Sequence, residues 1–405
     1  MVQAAVQRSD FGELIAPTYS PANLIPQIGE GSYVWDTNGR LYIDLAGGVA
    51  VTGLGHAHPE LIAELRAQSE LVWHVGNVFT NEPVLRLASQ LTESTFASRV
   101  FFANSGAEAN EAALKLARKV AFDKGAAASG KTEIVAFQNS FHGRTLFTVG
   151  VGGQPKYSTP FAPLPSSIKH LPFNDCEAAL AGISEKTCAV IFELVQGESG
   201  VRPATEAFVN ALRTRCDEVD ALLIFDEVQT GVGRTGDLFA YMGYHVIPDI
   251  LTTAKALGNG FPIGAMLTRS DLAEYFTAGS HGSTFGGNPL AAAVAAKVME
   301  IVRRPETLEG VKVRHAFCMQ RLEDIAARTG VFSEVRGRGM LIGAELSERY
   351  RGQSSRLVDC GYAAGVFTLM AGPDVLRLTP SLIIPLDVLA EAMDALSEAV
   401  TQFLT

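Results

Sequence analysis

Ala221-Leu-Leu-Ile-Phe-Asp-Glu-Val-Gln229 and Ile250-Leu-Thr-Thr-Ala-Lys255 are the two stretches that decide the fold. Each is a short apolar run closed by polar residues, and the second leads into Gly258-Asn-Gly-Phe261. Runs of this kind read as buried parallel strands, because a strand covered on both faces has no need to alternate polar and apolar residues. The first run ends on Asp226 and the second on Lys255. An acid and an amine are thus delivered to the carboxyl edge of one sheet, where open α/β sheets bind ligands.

The same signature recurs on either side. Val100-Phe-Phe102, Glu133-Ile-Val-Ala-Phe137 and Cys188-Ala-Val-Ile-Phe192 alternate with helical patterns between about 60 and 290. This predicts an α/β fold with a mostly parallel sheet covered by helices on both faces. Upstream, Gly31 to Asp36 and Leu41 to Asp44 flank Asn38-Gly39 and predict a hairpin. Downstream of Asn288-Pro289, an alanine-rich helix precedes an α+β pattern. Its helices lie near 305–328 and 385–404, and its strands at Phe332–Val335, Leu341–Glu345 and Val375–Leu378. Three parts are expected: 1–58, packing with the carboxyl-terminal part; a large domain, 59–300; and a smaller α+β domain, 301–405. At 405 residues the chain exceeds what one core usually serves.

Composition excludes several classes. Hydrophobic residues make up 47% of the chain, enough for a large core, and the net charge is −10 with no basic stripe, which argues against nucleic-acid binding. Five scattered cysteines without a Cys-x-x-Cys pair point to reduced thiols in a cytoplasmic protein, with neither a disulfide framework nor a metal site. The first ten residues lack the charged-then-apolar order of a secretory leader, and no apolar run approaches the length of a membrane span.

Two further segments carry chemistry. Phe101-Phe-Ala-Asn-Ser-Gly-Ala-Glu-Ala-Asn-Glu111 passes from a strand into a helix, with Ser105 and Glu108 at capping-box spacing. Gly106 and Ala107 are small enough for an anion to reach the free N–H groups of the first turn. By itself this reads equally well as an ordinary capped helix; the downstream acid and lysine favour a phosphate site. Asn139-Ser-Phe-His-Gly-Arg-Thr145 follows another strand. Phe141 is the candidate to stack on one face of a flat ring, with Val228 on the other, although most phenylalanines simply pack in the core. Arg144 suits a bidentate clamp on a substrate carboxylate, against a surface ion pair as the plainer alternative. His142 is assigned no role. A phosphate cradle, a stacking aromatic, an acid for a ring nitrogen and a lysine for an aldehyde match what pyridoxal phosphate requires. A cationic neighbour is expected to lower the pKa of Lys255.

Two patterns are set aside. Gly231-Val-Gly-Arg-Thr-Gly236 satisfies Gly-x-Gly-x-x-Gly but stands apart from its strand, with no helix directly after it. His56-Ala-His58 lacks a third metal ligand and reads as a turn before a helix at Pro59. Gly-x-Ser-x-Gly does not occur.

Ser105-Gly-Ala-Glu-Ala-Asn110, Ser140-Phe-His-Gly-Arg-Thr145, Phe225-Asp-Glu-Val-Gln-Thr-Gly231, Thr253-Ala-Lys255 and Gly282-Ser-Thr-Phe285, in this order, resemble the class III (fold type I) pyridoxal-phosphate aminotransferases. The resemblance is greatest to the acetylornithine/succinylornithine branch and runs from about residue 11 to the carboxyl end. It implies a homodimer with active sites at the subunit interface. It implies that Lys255 joins the coenzyme, Asp226 pairs with the ring nitrogen, Gln229 contacts the ring hydroxyl, and Gly106 and Ala107 bind the phosphate, helped by Thr284 from the neighbouring subunit. It further implies that Arg144 and Ser283 contact acylornithine, that Arg377 binds the α-carboxylate of 2-oxoglutarate or glutamate, and that Glu198 neutralises Arg377 otherwise. Leu194 and Ser199 depart from the usual proline and glycine, and Asn259 interrupts a usual glycine run; these bear on how substrates are ranked. Ornithine δ-aminotransferase, 4-aminobutyrate aminotransferase and a non-catalytic coenzyme-binding regulator remain as alternatives.

Overall fold

The computed structural model describes residues 7–405; the first six residues of the expected amino-terminal part lie outside the described residues. Strands are numbered along the chain. Pro26–Glu30 (β1), Tyr33–Asp36 (β2) and Leu41–Asp44 (β3) form an antiparallel ribbon. The β2–β3 turn is closed by Asp36, whose Oδ1 accepts the Asn38 and Arg40 N–H groups, while Gly39 takes φ +76°, a conformation open to glycine at little cost. The β3 edge pairs in parallel with Val366–Phe367 (β15), so this sheet joins the two ends of the chain.

The central sheet has seven strands. Their order is Arg99–Ala103 (β4), Gly264–Thr268 (β12), Ile250–Thr253 (β11), Leu222–Asp226 (β10), Thr187–Glu193 (β7), Glu133–Phe137 (β5) and Ile168–Leu171 (β6). Only β12 runs against its neighbours, so the sheet is mostly parallel, as expected. Two of these strands were not foreseen: β12 follows directly on a Gly/Pro-rich stretch, and β6 is an edge strand with Lys169 and His170 at its middle. All of β7 and β10 is buried, which is why both read as unbroken apolar runs. Successive residues still divide between the faces. Val190, Phe192, Leu223 and Phe225 join one core with helices Glu206–Glu218 and Pro289–Val302, and Ala189, Ile191, Leu222 and Ile224 join another with helix Gly106–Asp123. Phe192 meets Phe225 edge-on at 5.1 Å and Phe208 at 5.9 Å. Truncating such a ring to alanine costs about 3–5 kcal/mol.

The carboxyl-terminal segment carries Phe332–Arg338 (β13), Leu341–Leu346 (β14), Leu369–Met370 (β16) and Val375–Leu378 (β17), in the order β13-β14-β17-β16, flanked by helices Pro305–Thr329 and Leu386–Leu404. A two-stranded ribbon, Val195–Gln196 (β8) with Arg202–Pro203 (β9), follows β7. Gly231 to Gly236 is a run of turns rather than the opening of a helix. Its Arg234 is wholly buried, donating to the Met340 and Pro380 carbonyls. His56 bonds to Asp44 through Nε2, at 2.7 Å, and His58 precedes helix Pro59–Ser69. Among the described residues no group of side chains is arranged to hold a metal, the five thiols are free, and no helix is long and apolar enough to cross a membrane.

Candidate active site

A cavity of about 390 Å³ opens at the carboxyl edge of β7, β10 and β11. Ser105, Gly106, Ala107, Phe141, Arg144, Glu198, Asp226, Val228, Gln229 and Lys255 all line it.

Lys255 stands two residues past β11, at φ +44°, a left-handed conformation a lysine adopts only where its surroundings impose it. Its Nζ lies 4.0 Å from Glu198 Oε1. Burial lowers its pKa most; Glu198 opposes that and Arg377 adds to it. The direction is the one expected from the sequence, but desolvation rather than a cationic neighbour is the main cause.

Asp226 ends β10, level with Glu193 of β7 and Thr252 of β11. Its Oδ2 accepts from Asn110 Nδ2 at 2.7 Å and pairs with His142 Nδ1 at 2.8 Å, and its Oδ1 accepts the Val228 N–H at 3.1 Å. Asn110 is itself fixed, since its Oδ1 accepts from the Thr252 hydroxyl and its Nδ2 also donates to the His142 carbonyl. The imidazole is buried with no partner at Nε2. The hydrogen-bond network therefore assigns the proton to Nδ1, donated to the carboxylate. Three donors thus hold this one buried carboxyl in place.

The phosphate-type cradle forms at the start of helix Gly106–Asp123. Ser105 Oγ accepts the Glu108 N–H at 3.2 Å, one half of the expected capping box. The other half differs: the Glu108 carboxylate accepts from the N–H of Asn104, at 2.6 Å, rather than from that of Ser105. The Gly106 and Ala107 N–H groups, in the first turn, have no intrahelical acceptor. A Cβ on Gly106 would lie 2.6 Å from Val228 Cγ1, so glycine lets Val228 close over the cradle.

At the opposite side the Phe141 N–H donates to Glu193 Oε2 at 3.1 Å, and its ring meets Tyr157 edge-on at 6.3 Å. The Arg144 guanidinium carbon lies 3.7 Å from the Tyr157 ring centroid and 5.5 Å from that of Phe141. Burial, reinforced by the neighbouring Asp226, pushes the Glu193 carboxyl well above its ordinary value.

Arg377, on β17, does not line the cavity but reaches its edge. Its Nη1 donates to Glu198 Oε1 at 2.6 Å, to the Gly197 carbonyl at 2.7 Å and to Gln229 Oε1 at 3.3 Å, while Gln229 Nε2 donates to Glu198 Oε1 at 3.1 Å. Burial alone would raise the Glu198 carboxyl, but Arg377 and Lys255 bring it down to about 2. A Cβ on Gly197 would fall 2.0 Å from Gln229 Oε1, so this arrangement needs glycine there.

Ser283 and Thr284 are not gathered into the cavity. Ser283 Oγ accepts from Asn104 Nδ2 at 3.2 Å, just behind it, and Thr284 borders a separate small hollow with His74 and Asn77. Of the departures from the family pattern, Leu194 is fully buried, and Asn259 ties the lysine turn to the Leu54 N–H at 2.7 Å and the Gly55 carbonyl at 3.0 Å. Asn110, Glu193 and Tyr157 had not been singled out from the sequence, and His142 had been left without a role. A buried amide in the second turn of an anion-binding helix is the one signal that could have found Asn110.

The chain matches the class-III aminotransferase family over residues 14–400. It is 56% identical over 398 residues to the acetylornithine aminotransferase of Pseudomonas putida, covering 98% of each chain. It is also 56% identical over 401 residues to the succinylornithine transaminase of Yersinia pseudotuberculosis, covering 98% of this chain and 97% of that protein. The crystal structure of N-acetylornithine aminotransferase from Stenotrophomonas maltophilia superposes with a TM-score of 0.84 at 42% identity, over 95% of this chain and 98% of the other. The overall fold agrees with these matches, and the chain belongs to the class-III aminotransferases.

Proposed function

We propose that this enzyme, with pyridoxal 5'-phosphate as cofactor, transfers the terminal amine of N-acetyl-L-ornithine, N-succinyl-L-ornithine or both to 2-oxoglutarate. The products are the N-acylglutamate semialdehyde and L-glutamate, in arginine metabolism. The observation that carries this is the pairing, across one cavity, of the half-buried Lys255 amine with an Asp226 carboxyl held by three donors.

The residues fit the coenzyme. Gly106 and Ala107, with Ser105 at the cap, offer backbone donors to a phosphate, and Val228 closes over Gly106 as a flat ring requires. Phe141 and Val228 would hold the ring between them, and Gln229 would meet its hydroxyl. Asp226, held in place by its donors, would pair with the ring nitrogen and keep a proton on it. When bound, the coenzyme supplies an electron-poor ring that takes up the electron pair left as a substrate C–H proton departs. Lys255 would move that proton, and burial lowers its pKa in the direction a base needs.

Two substrates must share one pocket. Arg144 would take the remote carboxylate of acylornithine and the distal one of glutamate. Arg377 serves a carboxylate next to the reacting carbon, which glutamate has and acylornithine lacks at its terminal amine. With acylornithine present, Glu198 covers Arg377; left buried and unpaired, that guanidinium would cost about 3–5 kcal/mol. The 56% identity to both an acetylornithine and a succinylornithine enzyme supports the acylornithine class.

The working unit is a homodimer. Trp73, Val78, Phe79 and Phe285 are exposed large apolar side chains near Thr284 in sequence or space, a surface of the kind a second copy covers. In that arrangement Thr284, with Ser283, would serve the neighbouring subunit's site. Free thiols fit a cytoplasmic enzyme. The test is a parallel assay of acetylornithine, succinylornithine, ornithine and 4-aminobutyrate with 2-oxoglutarate as acceptor. At least one acylornithine should be used more efficiently than both unacylated amines, by about tenfold or more in kcat/KM. A preference for ornithine or 4-aminobutyrate would overturn the assignment.

A further inference from the structure

Beside the main cavity lies a second, of about 400 Å³, and Glu198 lines both. Arg144 lines the first and Lys156 the second. The two cations share one support: Arg144 Cζ is 3.7 Å and Lys156 Nζ 4.7 Å from the centroid of the same Tyr157 ring. They are therefore no farther apart than those two distances laid end to end. Neither cation forms an ion pair among the described residues.

The other charges of the second cavity are engaged. Glu345 is paired with Arg336 and, at 3.4 Å, with Arg202; Glu198 is held by Arg377; Asp374 accepts the Gly352 N–H. Among the described residues Lys156 is thus the free cation of this space, on the short helix Pro155–Ser158 that also carries Tyr157.

We propose that Lys156 is a specificity-determining residue, which takes the terminal carboxylate of a dicarboxylic acyl group while Arg144 holds the α-carboxylate of the same substrate. This rests on the acylornithine reading above and deepens it. In N-succinylornithine six bonds separate the two carboxyl carbons, a reach on the order of 7 Å when extended, which suits two cations placed around a single aromatic ring. N-acetylornithine presents only the first carboxylate, so it gains nothing from Lys156. The ring of Tyr157 fixes the spacing by binding a cation through its face twice.

The experiment compares N-succinylornithine with N-acetylornithine on the holoenzyme, for wild type, Lys156→Met and Lys156→Arg. Lys156→Met should raise KM for the succinyl substrate by about three- to fivefold, the worth of an exposed charge pair, with kcat kept and KM for the acetyl substrate unchanged. Lys156→Arg should restore the succinyl KM, and added salt should raise it more steeply in wild type than in Lys156→Met, which keeps only the Arg144 contact. Equal changes for both substrates, or none, would overturn the role of Lys156 while leaving the acylornithine assignment standing. A wild-type enzyme inert toward both acylornithines would overturn that assignment and this inference together.

Discussion

The two ends of the active site are held by opposite means. At the Asp226 end the bonds are mostly buried and tied to regular structure: the carboxylate on β10, Asn110 on a helix, and the Thr252 hydroxyl on β11, with the buried His142 donating from a loop. At the Glu198 end a charge pair spans the ribbon after β7 and the distant strand β17, and Glu198 Oε1 is shared among Arg377, Gln229 and Lys255. The first arrangement suits a group that must never move. The second suits one that must part, since an anion offered to Arg377 can displace Glu198 and leave it facing Gln229 and Lys255. On the proposed function, rigid hydrogen bonds at one end and an exchangeable ion pair at the other would let a single pocket keep one coenzyme and alternate between two substrates.

The contrast can be broken from either end. Lys255→Ala should give a folded protein that has lost turnover by about 10³-fold or more, read as steady-state rate against an unchanged melting temperature. Arg377→Ala should slow the half-reaction with 2-oxoglutarate or glutamate by about 10²-fold and the acylornithine half-reaction much less; single-turnover traces of the two halves check this, and equal losses would remove the exchange. His142→Gln takes one donor from Asp226 and should reduce both halves equally, by about tenfold. The mildest effect is on acid stability. Because the Glu198 carboxyl is depressed to about 2 in the folded protein, its contribution is complete above the ordinary carboxyl range near 4.5 and is lost as pH falls from there through about 2. Wild type should therefore lose stability more steeply over that window than Glu198→Gln, by urea unfolding at successive pH values, with no difference in slope near neutrality.

What the chain discloses before folding follows from how local each feature is. Asp226 and Lys255 each terminate an apolar run, so both their strands and their shared edge are visible in short windows. The β12 strand is not, because a Gly/Pro-rich turn hides its start, and its antiparallel course depends on pairing with β4 and β11. Asn110 and Asp226 are 116 positions apart, and Glu198 and Arg377 are 179 apart. The partnership of Asn110 with Asp226 has no trace in spacing, and that of Glu198 with Arg377 came only through likeness to a family. Glu193 reads as one more strand residue until the register sets it level with Asp226. Thr284 is the limiting case: its proposed role is in a second copy's site, which one chain does not contain.

The central claim is that the Lys255 amine carries the coenzyme. Reducing the purified protein with borohydride after incubation with pyridoxal phosphate, then mapping the modified peptide by mass spectrometry, tests it directly. A phosphopyridoxyl group on Lys255, absent from any peptide of Lys255→Ala, is the predicted result; stoichiometric labelling of a different lysine in the native protein would contradict it.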